Sequence, residues 1–569
     1  MSNVKTQWLI APSPEIPPEV DPSLPTILAR MMMQRGVSPD AMANFLRPKL
    51  ANLQDPFLLP DMAAATTRIL HAIDHGETIC IYGDYDVDGI TSVTLMSHIL
   101  TAYGATVRKF IPRRGPEGYG LNAAAIKRCM AEGNPDLLIT VDCGTASTTE
   151  IAELKELGID TIVVDHHEPP PQGNPDCIAV VNPKCDPELE NPDTPRFDYL
   201  CAAGVVFKLA HALLKTRPID GYDLKNTLDL VALATVADIV PLVEENRLLV
   251  RHGLRHMRHT QHPGLNALME AAQVKTPVTS SDVGFRIGPR INAAGRMDCP
   301  EDALQTLTTT DTTRAKELAT LLDDHNRARQ AEELRIHKDA LAKVKEHHKD
   351  DDPVIVLGSR DWHPGVVGIV ASRIMRRFHK PTFIIAIDEE GIGKGSGRSI
   401  GGVSLMDAIN HNREHLIAGG GHAMAAGISI DEDKITTFRN GFSNYVSNNV
   451  SDEDRLPRLH IDAEIDFPTL SLAFLDSYEL LQPFGSANPE PVFMTSNVWL
   501  TEPPRELKNQ HLKLSLKQND CWQSAMFFSG GQRTLPEQPW DIAFTINRNT
   551  FRGNTSLQIV IQDVRAHQA

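Results

Sequence analysis

The chain has 569 residues, of which 41% are hydrophobic and 23% charged, and a formal net charge of −17. This length is too great for one hydrophobic core, so we expect three or four domains of an ordinary globular protein. No stretch approaches the ~20 apolar residues of a membrane span, and the amino terminus lacks the pattern of a secretory signal. The acidic balance argues against tight nonspecific binding to duplex DNA, but it is compatible with a local basic channel.

The eight cysteines are scattered and form no C-x-x-C pair. This spacing indicates neither a zinc ribbon nor a disulfide framework. We therefore expect reduced thiols and a cytoplasmic location.

From Thr78 to Val240, short apolar runs alternate with amphipathic stretches. The apolar runs are typical of buried strands, and helix-like segments such as Thr91–Tyr103 and Ser147–Leu157 separate them. The predicted strands are Thr78–Tyr82, Thr106–Ile111, Asp136–Val141 and Asp160–Val164. This alternation predicts a parallel sheet flanked by helices, with ligands bound beyond the carboxyl ends of the strands.

The sequence pattern after this region predicts a connecting helix, a second α/β unit and a β-barrel. Asp311–His348 contains neither Pro nor Gly, which predicts a long connecting helix. A second α/β unit follows from Val354 to about Val446, with glycine-rich loops at Gly391–Gly402 and Gly419–Gly427. Short alternating segments beyond Leu459 predict a small β-barrel. We expect the first fifty residues to pack against the core.

The strongest motif follows the first predicted strand, where Asp84, Asp86 and Asp88 lie within five residues. Such carboxylates repel one another unless cations or hydrogen bonds offset the charge. A calcium loop of the EF-hand type does not fit, because its twelfth position would be Leu95 instead of Glu and a strand precedes it.

Other predicted elements also end in acidic or imidazole side chains. Asp142 follows one strand, Asp165-His166-His167 follows another, and Asp238 follows an apolar helix. Each of these residues has a structural alternative when it is considered alone. Asp142 or Asp238 could cap a helix, and the histidine pair could lie on the surface or in the core without binding a metal. Because adjacent parallel strands deliver their ends to one edge, we expect these groups to converge. Their mainly oxygen ligands suit Mg²⁺ or Mn²⁺, and two such ions can hold and hydrolyse a phosphate ester.

These four segments resemble the motifs of the DHH family of phosphoesterases. The resemblance implies that the metal ligands are Asp86, Asp88, Asp142, His166 and Asp238. It also implies catalytic roles for His167, which would face the phosphate, and for Asp84. Some relatives, notably the pyrophosphatases, have a ligand histidine where this chain has Tyr82, and that difference argues against a pyrophosphatase.

Two further segments suit contact with phosphate. Arg286–Met297 combines three arginines with small residues, and guanidinium groups match phosphate geometry. The alternative for this segment is a structural loop whose arginines pair with nearby acids. Arg113 and Arg114, after the second strand, suit contact with phosphate, but they suit a solvated basic pair equally well. In the second α/β unit, glycine-rich segments can direct main-chain N–H groups at a phosphate, although tight turns use the same residues. The candidate DNA- and phosphate-binding residues are Arg290, Asn292, Arg296, Ser396, Arg398, Ser399, Gly420, Gly421 and His422.

The order of the motifs resembles that of the RecJ exonucleases within the DHH family. The resemblance implies an N-terminal segment (1–50), a parallel-sheet DHH domain (51–275), the arginine motif with the connecting helix (276–350), a smaller α/β DHHA1 domain (351–450) and an oligonucleotide-binding (OB) barrel (455–569). Pro483–Phe493 is similar to the segment that opens that barrel, although Ala487 replaces a usual glycine. Candidate stacking aromatics are Phe484, Phe493, Trp522, Phe527 and Phe528, of which we expect one or two to contact a strand.

The resemblance implies metal-dependent, stepwise hydrolysis of single-stranded DNA, 5′→3′, in DNA repair and recombination. It also implies a single-strand-binding protein and a helicase as partners, and no membrane. Two alternatives remain from the sequence. One is a DHH phosphodiesterase of short oligonucleotides or cyclic dinucleotides, and the other is a noncatalytic DNA-binding relative. The barrel argues against the first, and the complete set of acids argues against the second.

Overall fold

The structure, a computed structural model, describes residues 6–114, 117–118, 120–189, 191, 194–297, 299–349, 351–508 and 510–568. The amino-terminal segment packs on the carboxyl-terminal barrel. Its elements are β1 (Gln7–Ile10), α1 (Thr26–Gln34) and α2 (Met42–Leu46). β1 pairs in parallel with Arg458–Ile461, and Leu28, Met31 and Leu46 join the apolar core of the barrel. The first fifty residues thus pack as expected against a core, and that core is the barrel's.

A five-stranded parallel sheet forms the centre of the first large domain. Its strands are β2 (Thr78–Gly83), β3 (Thr106–Phe110), β4 (Leu137–Val141), β5 (Asp160–Val164) and β6 (Ala179–Val181). The spatial order is β3-β2-β4-β5-β6, and every pair is parallel. This confirms the predicted sheet and its four strands to within a residue, and β6 is an additional strand. The chain leaves β2 toward β3 and returns on the other side as β4, so the switch point of the sheet lies between β2 and β4.

Helices cover both faces of this sheet. They are α3 (Met62–His75), α4 (Val87–Ala102), α5 (Ala123–Met130), α6 (Thr148–Glu156), α7 (Ala202–Thr216), α8 (Leu228–Ala237), α9 (Glu244–His256), α10 (Pro263–Ala271), α11 (Ser280–Asp282), α12 (Gly288–Arg296) and α13 (Pro300–Thr308). A π-helical turn, Val283–Ile287, joins α11 to α12. The arginine segment is therefore helical, with side chains fixed on defined faces.

A single helix of 36 residues, α14 (Thr312–His347), connects the first domain to the second, as predicted. Asp311 caps it by accepting hydrogen bonds from the N–H groups of Thr313 and Arg314. At 1.5 Å per residue the helix spans about 54 Å. Among the described residues, no helix is both long enough and apolar enough to cross a bilayer.

The second α/β domain contains a mixed five-stranded sheet of order β10-β11-β9-β8-β7. Its elements are β7 (Ile355–Ser359), α15 (Val367–Phe378), β8 (Thr382–Ile387), β9 (Ile392–Arg398), α16 (Leu405–His411), β10 (Ala418–Gly421), β11 (Ala425–Asp431) and α17 (Ile435–Asn449). The prediction of glycine-rich loops at 391–402 and 419–427 is wrong, because most of both segments is antiparallel strand. Glycine is needed there for space: a Cβ at Gly397 would lie 2.5 Å from the ring of Phe383.

The carboxyl-terminal domain is a closed barrel. Its elements are β12 (Arg458–Ile461), β13 (Ala463–Glu464), α18 (Leu472–Tyr478), β14 (Phe493–Leu500), β15 (Arg505–Leu507), β16 (His511–Gln518), β17 (Cys521–Phe527), β18 (Trp540–Phe551) and β19 (Asn554–Ala566). The ring β14-β18-β19-β17-β16 closes through a β14–β16 pairing, as in OB barrels. Ala487 has a φ of +56°, a backbone conformation that glycine adopts more readily.

Arg247 of α9 fastens the barrel to the first domain. Its guanidinium is buried and donates hydrogen bonds to the main-chain oxygens of Leu480, Leu481 and Gln482, at 2.9–3.2 Å. It also donates to the oxygen of Phe45 at 3.1 Å and lies 3.8 Å from the centroid of that ring. One side chain therefore joins the amino-terminal segment, the first domain and the approach to the barrel.

We expect Arg247→Leu to loosen the barrel from the first domain, because it removes four hydrogen bonds made by one buried guanidinium group. Arg251 still donates to the oxygens of Leu480 and Gln482, and Asn488 still donates to the oxygen of Leu481. The loss of unfolding free energy should reach at least about 3 kcal/mol. Chemical denaturation with limited proteolysis between residues 450 and 490 measures it. The control is Arg255→Leu on the same helix, where the side chain is exposed. Equal stability of the two variants would contradict this role of Arg247.

Candidate metal centre and nucleic-acid interface

The acidic motif wraps around the start of α4. Asp86 caps this helix by accepting hydrogen bonds from the N–H groups of Asp88 and Gly89, at 2.9 and 3.2 Å. Gly89 is required because a Cβ there would lie 2.4 Å from the main-chain oxygen of Asp84. Because of this cap the helix begins at Val87, four residues before the predicted start at Thr91. The motif is therefore a helix start, and its three carboxylates have fixed positions.

Asp88 is buried and also holds a second helix. Its two carboxylate oxygens accept hydrogen bonds from the N–H groups of Ala202 and Ala203, at 2.7 and 2.8 Å, in the first turn of α7. A helix amino terminus favours a negative charge. Asp88 therefore fixes α4 and α7 relative to each other beside the end of β2.

His166 lies among three carboxylates that come from distant parts of the chain. Its Nε2 is 3.3 Å from Oδ1 of Asp142, 3.7 Å from Oδ2 of Asp88 and 3.7 Å from Oδ2 of Asp238. Two of these separations exceed hydrogen-bonding distance. Asp142 has a φ of +62°, so the backbone after β4 is held in a strained conformation of the kind that clusters at functional sites.

The predicted ligand atoms form three overlapping groups, in each of which all atoms lie within 4.8 Å of one another. The groups are Asp84–Asp86–Asp142, Asp142–His166–His167 and Asp88–His166–Asp238. Asp142 and His166 each belong to two groups. The structure therefore brings together every carboxylate and histidine that the sequence nominated for metal binding or catalysis, in one continuous cluster with Asp142 in the middle.

The electrostatics of this cluster are unfavourable without a cation. Burial, and next the charge of Asp86, raises the pKa of both Asp84 and Asp88. Burial and the neighbouring carboxylates likewise raise the pKa of Asp142 and Asp238. Burial, and next the charge of His167, lowers the pKa of His166 to about 4, which leaves its ring neutral at pH 7. Anionic oxygens and a neutral imidazole nitrogen are the forms that bind metals.

The residues present fit divalent cations well. Oδ1 of Asp84 is buried and has no hydrogen-bond donor among the described residues, and a buried anionic oxygen is costly unless it is compensated. The donor set of mainly oxygen with one imidazole suits Mg²⁺ or Mn²⁺. Both observations point to cation sites within the cluster.

Asp165 has a role that the sequence reasoning missed. Its Oδ1 accepts hydrogen bonds from the main-chain N–H groups of His166 and His167 and from Nδ1 of His167, at 2.7, 3.2 and 2.8 Å. Burial would lower the pKa of His167, but the hydrogen bond to Asp165 and the nearby carboxylates raise it to about 9. Asp165 thus orients a protonated His167, and a carboxylate two residues before a site histidine is the signal that would have indicated it.

The arginine helix α12 divides the predicted phosphate-binding residues between two faces. Oδ1 of Asn292 accepts a hydrogen bond from the N–H of Val87 at 3.2 Å, and a Cβ at Gly295 would lie 2.8 Å from the main-chain oxygen of Tyr85. This face packs on the acidic motif. Arg290 instead pairs with Asp323 of α14 at 2.8 Å, on the other face. The structure therefore places Asn292 beside the metal-binding cluster and Arg290 away from it.

Arg296 lies at the junction of the two α/β domains. Its Nη1 donates to the main-chain oxygen of Gly365 at 2.8 Å, and a Cβ at Gly365 would approach the oxygen of Arg296 to 2.9 Å. Burial, and next the positive charges of Arg114 and Arg329, lowers the pKa of Arg296 to about 10. Arg114 lies 5.5 Å from the ring centroid of Tyr85 within the acidic motif, whereas Arg113 pairs with Glu301. Positive charges held this close together favour the binding of an anion between them.

The candidates of the second domain are only partly brought together. Arg398 donates to Oγ of Ser396 at 3.1 Å, and its charge contributes to the environment of Arg296. Ser399 is buried and donates to the main-chain oxygen of Val403, which is a structural role. Gly420, Gly421 and His422 lie on or next to the exposed edge strand β10, with the N–H of His422 bonded to the oxygen of Ala425.

The aromatic candidates of the barrel separate into core and surface. Phe493 and Phe527 are buried, and Phe484 is partly buried beside Tyr478. Trp522 and Phe528 are 61% and 55% exposed. Trp522 lies 4.8 Å from the Lys517 ammonium, and the exposed Trp499 pairs with Lys517 across β14 and β16. The expectation that one or two of the five are available for stacking remains a prediction, now limited to Trp522 and Phe528.

A parallel sheet with acids converging at its switch point defines a phosphoesterase domain of the DHH class. Residues 78–235 match the DHH family, N-terminal domain, and residues 351–448 match the DHHA1 domain. Tyr82, at the position where some relatives have a ligand histidine, is buried and donates to the main-chain oxygen of Gly120.

The order of the domains along the chain identifies the family within the DHH class. Residues 461–563 match the RecJ OB domain. The chain is 33% identical over 584 residues to the single-stranded-DNA-specific exonuclease RecJ of Dickeya dadantii, covering 98% of this chain and 99% of that protein. The RecJ of Bacillus subtilis is 36% identical over 94% of this chain and 67% of its own length. The crystal structure of RecJ from Thermus thermophilus in complex with Mn²⁺ matches with a TM-score of 0.84 and 30% identity, covering 100% of this chain and 81% of that one. The chain belongs to the RecJ family.

We expect Asp142→Asn to stabilise the metal-free protein, because it removes one of several mutually repelling buried carboxylates. In a domain of this size, each kcal/mol of relieved repulsion should raise the melting temperature by about 2–4 °C. The same variant should lose most of the stabilisation that Mn²⁺ gives the wild type. Thermal melts with a chelator and with Mn²⁺ measure both effects. Glu153→Gln, an exposed acid on α6, is the control. A lower metal-free melting temperature with an undiminished Mn²⁺ shift would contradict the prediction.

Proposed function

We propose that this protein is a metal-dependent exonuclease that hydrolyses single-stranded DNA stepwise. The observation that carries the proposal is the convergence of five aspartates and two histidines at the switch point of the DHH sheet. Relatives that align over nearly their whole length are named single-stranded-DNA-specific exonucleases. A retained acidic cluster is what a hydrolytic member of this family requires.

The ligands that we assign to two divalent ions are Asp86, Asp88, Asp142, His166 and Asp238, with Asp84 within reach of the first ion. Asp142 belongs to the group with Asp84 and Asp86 and also contacts His166, so it suits a bridging position. Relatives in this family were crystallised with Mn²⁺ and with Mg²⁺. When bound, such ions neutralise the phosphate, activate water and stabilise the leaving oxygen.

His167 is suited to hold the phosphodiester. Its Nδ1–H donates to Asp165, and the side chain is 43% exposed, so the protonated ring can offer Nε2–H to a phosphate oxygen. Asp165 contacts no substrate in this scheme and acts as a positioning residue. A positively charged hydrogen-bond donor at this point would stabilise the additional negative charge that develops on the phosphate during attack.

The strand itself would bind along the arginines at the domain junction. Arg114, Arg296 and Arg398 come from both α/β domains and contribute positive charge to one region beside the acidic motif. We propose that the groove between the two domains joined by α14 admits one strand with unpaired bases and excludes duplex DNA. The exposed aromatics of the barrel would bind bases farther along the strand.

We further propose, from family membership, that degradation runs 5′→3′ and serves DNA repair and recombination in the cytoplasm. A single-strand-binding protein and a helicase are the proposed partners. The absence of disulfides among the eight cysteines is compatible with a reducing compartment. Our proposed domain assignment divides the chain into residues 1–50, 51–275, 276–350, 351–450 and 455–569. A phosphodiesterase for short oligonucleotides or cyclic dinucleotides remains the second candidate.

End-labelled strands test the activity and its alternative together. With Mn²⁺ or Mg²⁺, we expect 5′→3′ degradation of long single strands and at least tenfold slower hydrolysis of a blunt duplex. Asp142→Ala should lower kcat by at least about 1000-fold, because the bridging ligand is removed. A length series separates the two candidates, since a preference for two- to five-nucleotide substrates would favour the small-substrate enzyme. Equal rates on single strand and duplex, or full activity of Asp142→Ala, would refute the proposal.

Asp165→Asn tests the positioning role. An amide would hold the wrong tautomer of His167 or leave it neutral, so kcat should fall by about 100-fold with little change in KM. Steady-state kinetics on single-stranded DNA measures this, and Asp160→Asn at the opposite end of β5 is the control. A purely structural role of Asp165 would instead lower the melting temperature without this division between kcat and KM.

A further inference from the structure

A second cluster of metal-binding side chains lies outside the catalytic centre. The Sγ of Cys299, a carboxylate oxygen of Asp302 and a ring nitrogen of His325 all lie within 4.8 Å of one another. Nε2 of His325 is 3.1 Å from Oδ2 of Asp302. The three residues come from the start of α13 and the middle of α14, so the fold and not sequence proximity brings them together.

We propose that Cys299, Asp302 and His325 form a zinc site. A thiolate, an imidazole and a carboxylate are all established zinc ligands, and sulfur disfavours Mg²⁺ and Mn²⁺. Among the described residues, the metal-binding groups of the catalytic cluster contain oxygen and imidazole donors and no cysteine. The two centres therefore differ in the metal that each selects, and this proposal does not depend on the proposed activity.

The spacing of the three donors is close to that of a bound ion. Ligand atoms around tetrahedral zinc, with bonds of about 2.0–2.3 Å, lie roughly 3.3–3.7 Å apart. The His325–Asp302 pair, at 3.1 Å, is slightly closer than this range, and the remaining pairs, within 4.8 Å, need at most about 1.5 Å of side-chain movement. All three residues are partly buried, so none of them is sealed from solvent. With three protein ligands, water would supply the fourth ligand of a tetrahedral zinc ion.

The charges also balance. With Cys299 as the thiolate, Asp302 as the carboxylate and His325 as the neutral ring, the three ligands would carry a total charge of −2, which one Zn²⁺ neutralises. Cys299 is the N-cap of α13 and Asp302 lies in its first turn, where the helix dipole stabilises both anions. The main chain is fixed by hydrogen bonds from Cys299 N–H to the oxygen of Ala294 and from Asp302 N–H to the oxygen of Cys299.

Zinc here would brace the part of the protein that supports the catalytic loop. Ala294 and Arg296 belong to α12, whose Asn292 accepts the hydrogen bond from Val87 in the acidic motif. His325 belongs to the long helix α14, two residues after the Asp323 that pairs with Arg290. An ion that joins Cys299 and Asp302 to His325 would thus fasten the end of α12 to α14.

Cobalt substitution tests the site directly, because a cysteine thiolate bound to Co²⁺ gives a near-ultraviolet charge-transfer band that oxygen and nitrogen ligands do not give. The full chain, stripped with a chelator, is titrated with Co²⁺. We expect the band to saturate at one ion per chain and to disappear when Zn²⁺ is added. Cys299→Ser should abolish the band, and His325→Asn should weaken Co²⁺ binding by at least about 100-fold.

Two controls make the result specific. Asp142→Asn, in the catalytic cluster, and Cys521→Ser, in the barrel, should both keep the band. Circular dichroism checks that each variant is folded, and His325→Asn replaces Cys299→Ser if the latter does not fold. The absence of a charge-transfer band in the wild type, or a band that persists in Cys299→Ser, would overturn the proposal and leave an ordinary His325–Asp302 ion pair.

Discussion

The mutual repulsion of buried carboxylates is the constraint on which this structure depends. Asp84, Asp88 and Asp142 are almost completely buried within one cluster, and burial together with their neighbours raises the pKa of each. Few residue arrangements are less favourable in a protein interior unless cations compensate them. The fold tolerates the arrangement because helix starts and main-chain N–H groups hold these side chains in place.

Structural and chemical roles coincide in the same side chains. Asp86 caps α4, and Asp88 accepts both hydrogen bonds at the start of α7. These contacts fix the direction of each carboxylate before any ion binds, which reduces the reorganisation needed at the site. A helix cap and a metal ligand are therefore compatible roles for these residues. Both cap hydrogen bonds of Asp86 go to Oδ1, which leaves Oδ2 for an ion. Each oxygen of Asp88 accepts one N–H group and has a further lone pair that an ion can use.

The sequence predicted the sheet and the acidic cluster well because both follow from local patterns. Buried strands show as apolar runs, and the parallel arrangement sends their ends to one edge. The division of the arginine residues was not predicted, because the sequence alone did not show that this segment is a helix. Once α12 is known to be a helix, Asn292 and Arg296 are four residues apart and share one face, whereas Arg290 is two residues from Asn292 and points elsewhere.

Other features depended on contacts between distant residues. The glycine-rich strand β9 has poor intrinsic strand propensity, and only the bulky side chains of Phe383, Ile385 and Ile428 explain it. The pairing of β1 with β12 joins segments about 450 residues apart, which no local pattern reveals. The role of Asp165 is local by contrast: its position two residues before His167 is a signal in the sequence, and the orientation of the His167 ring shows the hydrogen bond.

The central claim is that the carboxylates and imidazoles at this sheet edge hold two divalent ions. Anomalous diffraction from crystals grown with Mn²⁺ measures this directly. The account predicts two peaks about 3.5–4 Å apart, both in contact with Asp142, one next to Asp86 and the other next to Asp88, His166 and Asp238. Peaks elsewhere, or no peak at this edge in crystals that are saturated with Mn²⁺, would contradict it.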